Sequence, residues 1–436
     1  MSDMASSRSL PALEDNRYLR FGAFAMLYAA QGLPWGLFVV AIPAWLAGKG
    51  ASAAEIGSFI AIAGLPWSFK LVAGPLMDRF TYLAMGRRRP WVLAAQVGIV
   101  AGLVLLAAAP SPENHLMVIA GIGFIINSFC ALQDVAVDGM AIDVLPEDER
   151  ARVNAFMFGG QVAGISASSA GGTYLLSMVG LHAAAGIVAV SVFIIMLVPL
   201  FLRERDGEKL LPWLPGEPSA AALDNQAGNF KAIVTDLLRA LLLPMSILLT
   251  FCEFLNRASS GLFIAVTPVV TVQKLHWADT AYSNWQASAG IAGAAFGLLV
   301  APWIDKRGAG IALTVAIFVK MLAMAAVGLL GSLWSYKAFF TSIIVLTSLT
   351  GQVITVAIIA LFMSLCAKRV AATQFAVYMA ISNLALSGGS ALVKPLNAYL
   401  NDAGMYFAAA AMCLAFLLIW PLFNLDRHNA RLLTLD

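Results

Sequence analysis

Asp134 and Asp138 stand in "SFCALQDVAVDGMAIDVLPEDER", inside an apolar run that covers about residues 116–142. An ionisable side chain in such a run is costly unless it faces a cavity or a partner. Four residues apart, the two carboxylates share a helix face, and Asn127 lies roughly two turns earlier on that face. Two carboxylates this close repel, which favours uptake of a proton by one of them. The chemistry they offer is therefore proton exchange or the binding of a polar ligand. Lys70, in "GLPWSFKLVAGPLMDRF", is the natural counter-charge. It lies roughly 12 Å deep from Asp78 at 1.5 Å per residue, and Asp138 and Asp134 lie roughly 7 and 13 Å deep from Asp143. A Lys70–Asp pair between neighbouring helices is expected, either as a proton or substrate site or as glue between helices.

A second polar group, Glu253, Asn256 and Arg257, occurs in "FCEFLNRASSG". Glu placed four residues before Arg can pair with it along one helix. One reading is a self-neutralised pair; the other makes Arg257 an anchor for an anionic substrate, held ready by Glu253. Gln31 and Trp35 share a face of "QGLPWGLF", where Pro34 would bend the helix. Trp67 can stack on a sugar ring or fill space, and Asn383 can line a cavity. Lys394, beside Pro395, is a gate or substrate contact or an interfacial anchor. Lys320, well inside its own run, is expected to snorkel to the cytoplasmic face.

The elements that must position these residues are membrane helices. The chain has 436 residues, 60% hydrophobic and 12% charged, against about 25% charged in a soluble protein. A membrane-crossing helix needs roughly 20 apolar residues. Such runs fall at about 21–46, 55–77, 90–109, 116–142, 151–178 and 181–202, then at about 240–272, 280–303, 310–331, 336–366, 371–399 and 404–424. Twenty of the 27 Lys and Arg residues lie on one side of this array, against Lys49, Lys274 and Lys337 on the other. The positive-inside rule then puts both termini, 1–20 and 425–436, in the cytoplasm. Residues 203–239 read as a cytoplasmic linker between an N-terminal bundle, 21–202, and a C-terminal bundle, 240–424. No cleaved signal peptide is expected.

The halves repeat. "AGPLMDR" and "VAPWIDKRG" each carry Pro-x-x-Asp before a basic residue, at Pro75–Asp78 and Pro302–Asp305. The starts of the runs at 151 and 371 are also alike. Parallel six-helix halves about an axis normal to the membrane are the architecture of major facilitator transporters. The fold class expected is therefore an all-α membrane protein of twelve helices in two bundles.

Motifs for other chemistries are missing from the sequence. It has no His-Glu-x-x-His, no Gly-x-Ser-x-Gly and no Walker A loop, and its four histidines are expected on scattered loops. The four cysteines lie in apolar runs and suggest neither a disulfide framework nor zinc. No cofactor, metal site, nucleic-acid partner or enzymatic activity is expected. A membrane scaffold or an intramembrane enzyme is the competing class.

"QGLPWGLF", "LPWSFKLVAGPLMDRF", "GRRRPWVLAAQ", "ALQDVAVDGMAIDVLPEDER" and "SLCAKRVAATQFAV" together resemble the AmpG muropeptide permeases and the related acetyl-CoA transporters, a branch of the major facilitator superfamily. The resemblance implies proton-driven import of anhydromuropeptides across the bacterial inner membrane, with Lys70, Asp134 and Asp138 in the functional set. Gly74, Asp78, Arg79, Arg87 and Arg88 resemble the Gly-x-x-x-Asp-Arg…Gly-Arg-Arg loop of facilitator transporters, with Asp305, Lys306 and Arg307 as a degenerate copy, which implies a gating role; the other reading is topology alone, since arginines there also satisfy the positive-inside rule. Compact relatives of the branch import ferric siderophores, which is the alternative substrate. The expected partners are a small-molecule solute, protons and lipid, with the chain acting as a monomer.

Overall fold

The computed structural model describes residues 12–219, 230–367 and 370–432; the side chains of the gating candidates Asp78 and Asp305 lie outside the described set. Among the described residues, ten helices are long and apolar enough to cross a membrane. One of them, Arg152–Phe201, is 50 residues long and is broken at Gly180, where φ is +77°. Residues 53–79 form one further pass, interrupted by a 3-10 turn at Leu65–Phe69. Counted this way, the described residues hold twelve helical segments. The first half holds α1 (Arg17–Gly48), α2 (53–79), α3 (Arg89–Ala107), α4 (Pro112–Val144), α5 (147–179) and α6 (181–201). The second holds α7 (Pro244–Lys274), α8 (Asp279–Arg307), α9 (Ala309–Leu329), α10 (Lys337–Leu365), α11 (Ala371–Leu396) and α12 (Asp402–Leu422).

Local sequence starts several of these helices. The Asn16 side chain accepts the Tyr18 and Leu19 N–H groups at 2.8 and 3.3 Å and caps α1. Ser52 and Glu55 form a reciprocal capping box on α2. Asn401 caps α12 through the Gly404 N–H at 2.9 Å.

Within the halves, helices meet through glycines. A Cβ at Gly32 or Gly36 of α1 would fall 2.4 Å from the Gln161 or Ile165 carbonyl oxygen of α5. A Cβ on Gly160 or Gly164 of α5 would fall 2.1 or 2.4 Å from the Ala25 or Ala29 carbonyl oxygen of α1. The second half repeats this between α7 and α11, where a Cβ on Gly261 or Gly389 would fall 2.2 or 2.1 Å from the Leu386 or Ala258 oxygen. Small residues four apart let backbones touch, and that contact is the main source of helix association where lipid removes the hydrophobic drive.

Both halves place a π-helical segment in their first helix, Leu37–Ala41 in α1 and Val269–Lys274 in α7. The halves meet through α2 on α11 and α5 on α8. At one end they are stitched shut. Gln273 Nε2 donates to the Ala47 and Ala51 carbonyls at 2.9 and 2.7 Å, Thr173 Oγ1 to Ser283 Oγ at 2.7 Å, and Ser177 Oγ to Asp279 at 2.8 Å. The opposite end carries the linker. There Leu13 N donates to Arg203 O at 2.9 Å, and His428 Nε2 sits 3.0 Å from Leu365 O. His115, at a kink, His182 and His428 lie within helices, and only His276 of the four lies on a loop.

Candidate functional site

A cavity of about 630 Å³ lies between the halves. Its walls come from α1, α2, α4 and α5 on one side and α7, α10 and α11 on the other. It runs from Trp35, Trp67 and Arg257 down to Ile142, Asn154 and Met363, which stand near the linker ends of their helices. Ile142 and Met363 are 63% and 60% exposed, so the cavity opens toward the linker and is closed at the other end.

The first half supplies an acidic pole. Asp134 is buried; it pairs with Lys70 and accepts Gln31 Nε2 at 2.9 Å. Asp138, one turn nearer the opening, is exposed and accepts the Tyr28 hydroxyl. The two carboxylates thus face one cavity but differ in water contact. Trp67 stands above Lys70, whose Nζ lies 4.7 Å from the ring centroid, a cation–π distance. Trp67 Nε1 donates to Asn127 Oδ1 at 2.9 Å, and the ring meets Trp35 edge-on at 5.3 Å. Asn127 and Gln31 do not line the cavity; they hold Trp67 and Asp134 in place from behind.

The second half supplies a basic pole. Arg257 lines the cavity, and its Nε lies 4.0 Å from Glu253 Oε1. Glu253 and Asn256 are buried behind it. Asn383 reaches the cavity and donates Nδ2 to the Trp67 carbonyl at 3.3 Å, a contact between the halves. Lys394 is exposed near the end of α11 and is not part of the lining. Lys320 departs from expectation. It does not snorkel: it is 5% exposed and hydrogen-bonded inside the second half. Three acceptors on α7 satisfy its ammonium, and its position near the middle of α9 puts both interfaces out of a lysine stem's reach.

Sequence reading also missed Tyr28, Asn154 and Gln161, all lining residues. Tyr28 had a legible signal, since it precedes Gln31 by three and Trp35 by seven, on one helix face.

The arginine loop is built around a residue no motif flagged. Glu204 is fully buried, and its carboxylate accepts the N–H of Arg87 at 3.0 Å, of Arg88 at 2.8 Å, and of Arg89. Successive N–H groups of this kind form an anion nest. Gly86 makes it possible: its φ is +94°, and a Cβ there would fall 2.6 Å from the Glu204 carboxyl carbon. The Arg87 and Arg88 side chains reach Asp143 at 3.9 and 3.5 Å. Arg79 lies over the Phe80 ring, a Cβ on Gly74 would meet nothing within 4 Å, and Lys306 and Arg307 are exposed at the end of α8.

Burial, with repulsion from Glu208 second, pushes the Glu204 carboxyl up to about 7 against the pull of the nest. A folded-state value above the unfolded one means that the native state holds the proton longer. Stability is then highest at low pH and falls as pH rises through about 7. Glu204→Gln should flatten the fall in melting temperature between roughly pH 5 and 7.5, read by thermal unfolding in detergent. An unchanged slope would assign the pH dependence to other groups.

The model of the Major Facilitator Superfamily matches residues 24–393. An anhydromuropeptide permease of Escherichia coli is 33% identical over 131 residues, which cover 30% of this chain and 26% of that one. An uncharacterised protein of Haemophilus influenzae is 30% identical over 139 residues, 31% of this chain and 32% of that one. The chain thus spans about a quarter to a third of the length of these curated relatives. A solved POT family transporter in complex with a thioalcohol-conjugated peptide superposes with a TM-score of 0.66 over 93% of this chain and 95% of that one, at 13% identity. That likeness shows the shared fold. The family match runs through both halves and the cavity they enclose, and the chain belongs to the Major Facilitator Superfamily of multi-pass membrane transporters.

Proposed function

We propose that the protein is a proton-coupled importer of anhydromuropeptide-type cell-wall fragments, working by alternating access in the bacterial inner membrane. One observation carries the reading: Asp138 is exposed in the wall of the cavity between the halves, one turn from a Lys70–Asp134 pair. A static knot between helices would leave no carboxylate open to water.

The basic excess on the linker side supports a cytoplasmic position for the linker and both termini. The conformation described is then open to the cytoplasm. Asp138 exchanges the proton with water. A change in its charge alters the field on Lys70, which either stays with Asp134 or turns to the solute. Trp35 and Trp67 offer faces and edges to a sugar ring, and Arg257 meets a carboxylate. The lining volume falls within the roughly 300–1,000 Å³ of small-molecule clefts. One chain completes the cavity, which suits a monomer. The Escherichia coli relative's name supports the substrate class.

The test is uptake of a labelled 1,6-anhydromuramoyl peptide into proteoliposomes under an imposed pH gradient. Accumulation above equilibrium that collapses with a protonophore is expected. Equilibration indifferent to the gradient would remove the coupling, and no uptake under any gradient would remove the substrate.

A further inference from the structure

One buried cation of the second half stands outside the cavity. Lys320, on α9, donates from Nζ to the Asn256 carbonyl at 2.9 Å, to Asn256 Oδ1 at 2.8 Å and to Ser260 Oγ at 2.8 Å. An ammonium has three donors and no acceptor, so all its protons are in use. Ser260 Oγ itself donates to the Asn256 carbonyl at 3.2 Å, which leaves its lone pairs for Lys320. Asn256 then passes the contact on: its Nδ2 donates to Glu253 Oε2 at 2.9 Å. The amide is oriented from both ends, oxygen to the ammonium and nitrogen to the carboxylate. A flipped amide would face both neighbours with the wrong group.

Glu253 therefore lies between two cations and is tied by hydrogen bonds to the one behind it. Toward the cavity, its Oε1 is 4.0 Å from Arg257 Nε, and that buried Nε makes no hydrogen bond among the described residues. With the carboxylate buried and the guanidinium four residues on along the same helix, the two would ordinarily close to a direct pair.

We infer that Lys320 is a positioning residue that holds Glu253 back through Asn256 and so leaves the charge of Arg257 available to the cavity. It sets the strength with which the transporter takes an anionic group of its solute, without touching the solute. The inference rests on the proposed reading of Arg257 as the contact for that group.

The state of Arg257 can be measured without a solute. Phenylglyoxal adds to free guanidinium groups and is slowed by ion pairing. Modification of Arg257 is followed by peptide mass spectrometry on the purified full-length protein, with exposed Arg79 as internal reference. Lys320→Met should slow Arg257 modification several-fold, because Glu253 loses its rear cation and closes on Arg257. Lys320→Arg should keep the wild-type rate, and the double variant Lys320→Met with Glu253→Gln should regain it. If Lys320→Met yields no folded protein, Lys320→Gln carries the same comparison, since it keeps donors and loses the charge. An unchanged rate in the neutral variant, or no recovery in the double variant, overturns the inference. A separate arm keeps the two readings apart. Arg257→Ala should raise KM for a carboxylated muropeptide but not for its amide. Equal KM values there would refute the substrate contact, whatever the modification rates show.

Discussion

Asp138→Asn should lose proton-driven accumulation by at least an order of magnitude while still exchanging solute across the membrane. The asymmetry within α4 sets this expectation. Asp134 is buried and enclosed by Lys70 and Gln31, so its replacement would leave the half-buried Lys70 ammonium without its carboxylate and loosen the packing around it. A defect in Asp134→Asn would therefore mix folding with function. Asp138 is open to the cavity and its one described partner is the Tyr28 hydroxyl. The Asn side chain keeps the shape and can still accept that hydroxyl. What it cannot do is take up and release a proton. Counterflow of labelled against unlabelled solute requires no net proton movement, so it should survive. Wild-type accumulation in the Asn variant would remove Asp138 from the coupling and with it the proposed mechanism.

Gly160→Val should abolish the folded protein. The added Cβ would stand 2.1 Å from the Ala25 carbonyl oxygen, which is backbone and has no rotamer to move. Gly164, Gly32 and Gly36 meet the facing helix almost as closely, so α1 and α5 cannot part locally without parting over their whole contact. The cost should exceed about 4 kcal/mol, the level reached by few single substitutions. Gly159, the preceding residue, has open space where a Cβ would stand, with nothing within 4 Å, and serves as the control. Gly159→Val should give a monodisperse peak on size-exclusion chromatography, and Gly160→Val should give aggregate or no protein. Equal behaviour of the two would mean that α1 and α5 pack less tightly than the glycine contacts indicate.

Much of the site can be read from spacing, because spacing along a helix converts directly into depth and face. Lys70 and Asp134 sit at matching depth by the rise per residue, and they pair. Gln31, Trp35 and Trp67 likewise gather around that pair. The Lys320 expectation failed for a specific reason. Lys320 lies near the middle of Ala309–Leu329, roughly 16 Å from its start at 1.5 Å per residue, which is farther than a lysine stem extends, and three acceptors on a neighbouring helix hold it inside. Glu204 was missed because no local pattern marks it: the N–H groups that it binds lie more than a hundred residues earlier in the chain.

By itself, the sequence determined a chain of membrane helices, its division into two similar halves and the polar stripe on α4. All of these are periodic or compositional, and each follows from a helix's own geometry and the cost of exposing polar groups to lipid. The tertiary structure alone decided which carboxylate meets water, which end of the cavity is closed, and that Glu253 is held from behind by Lys320. Those depend on the rotation and approach of helices distant in sequence, where side chains from several of them compete for the same partner.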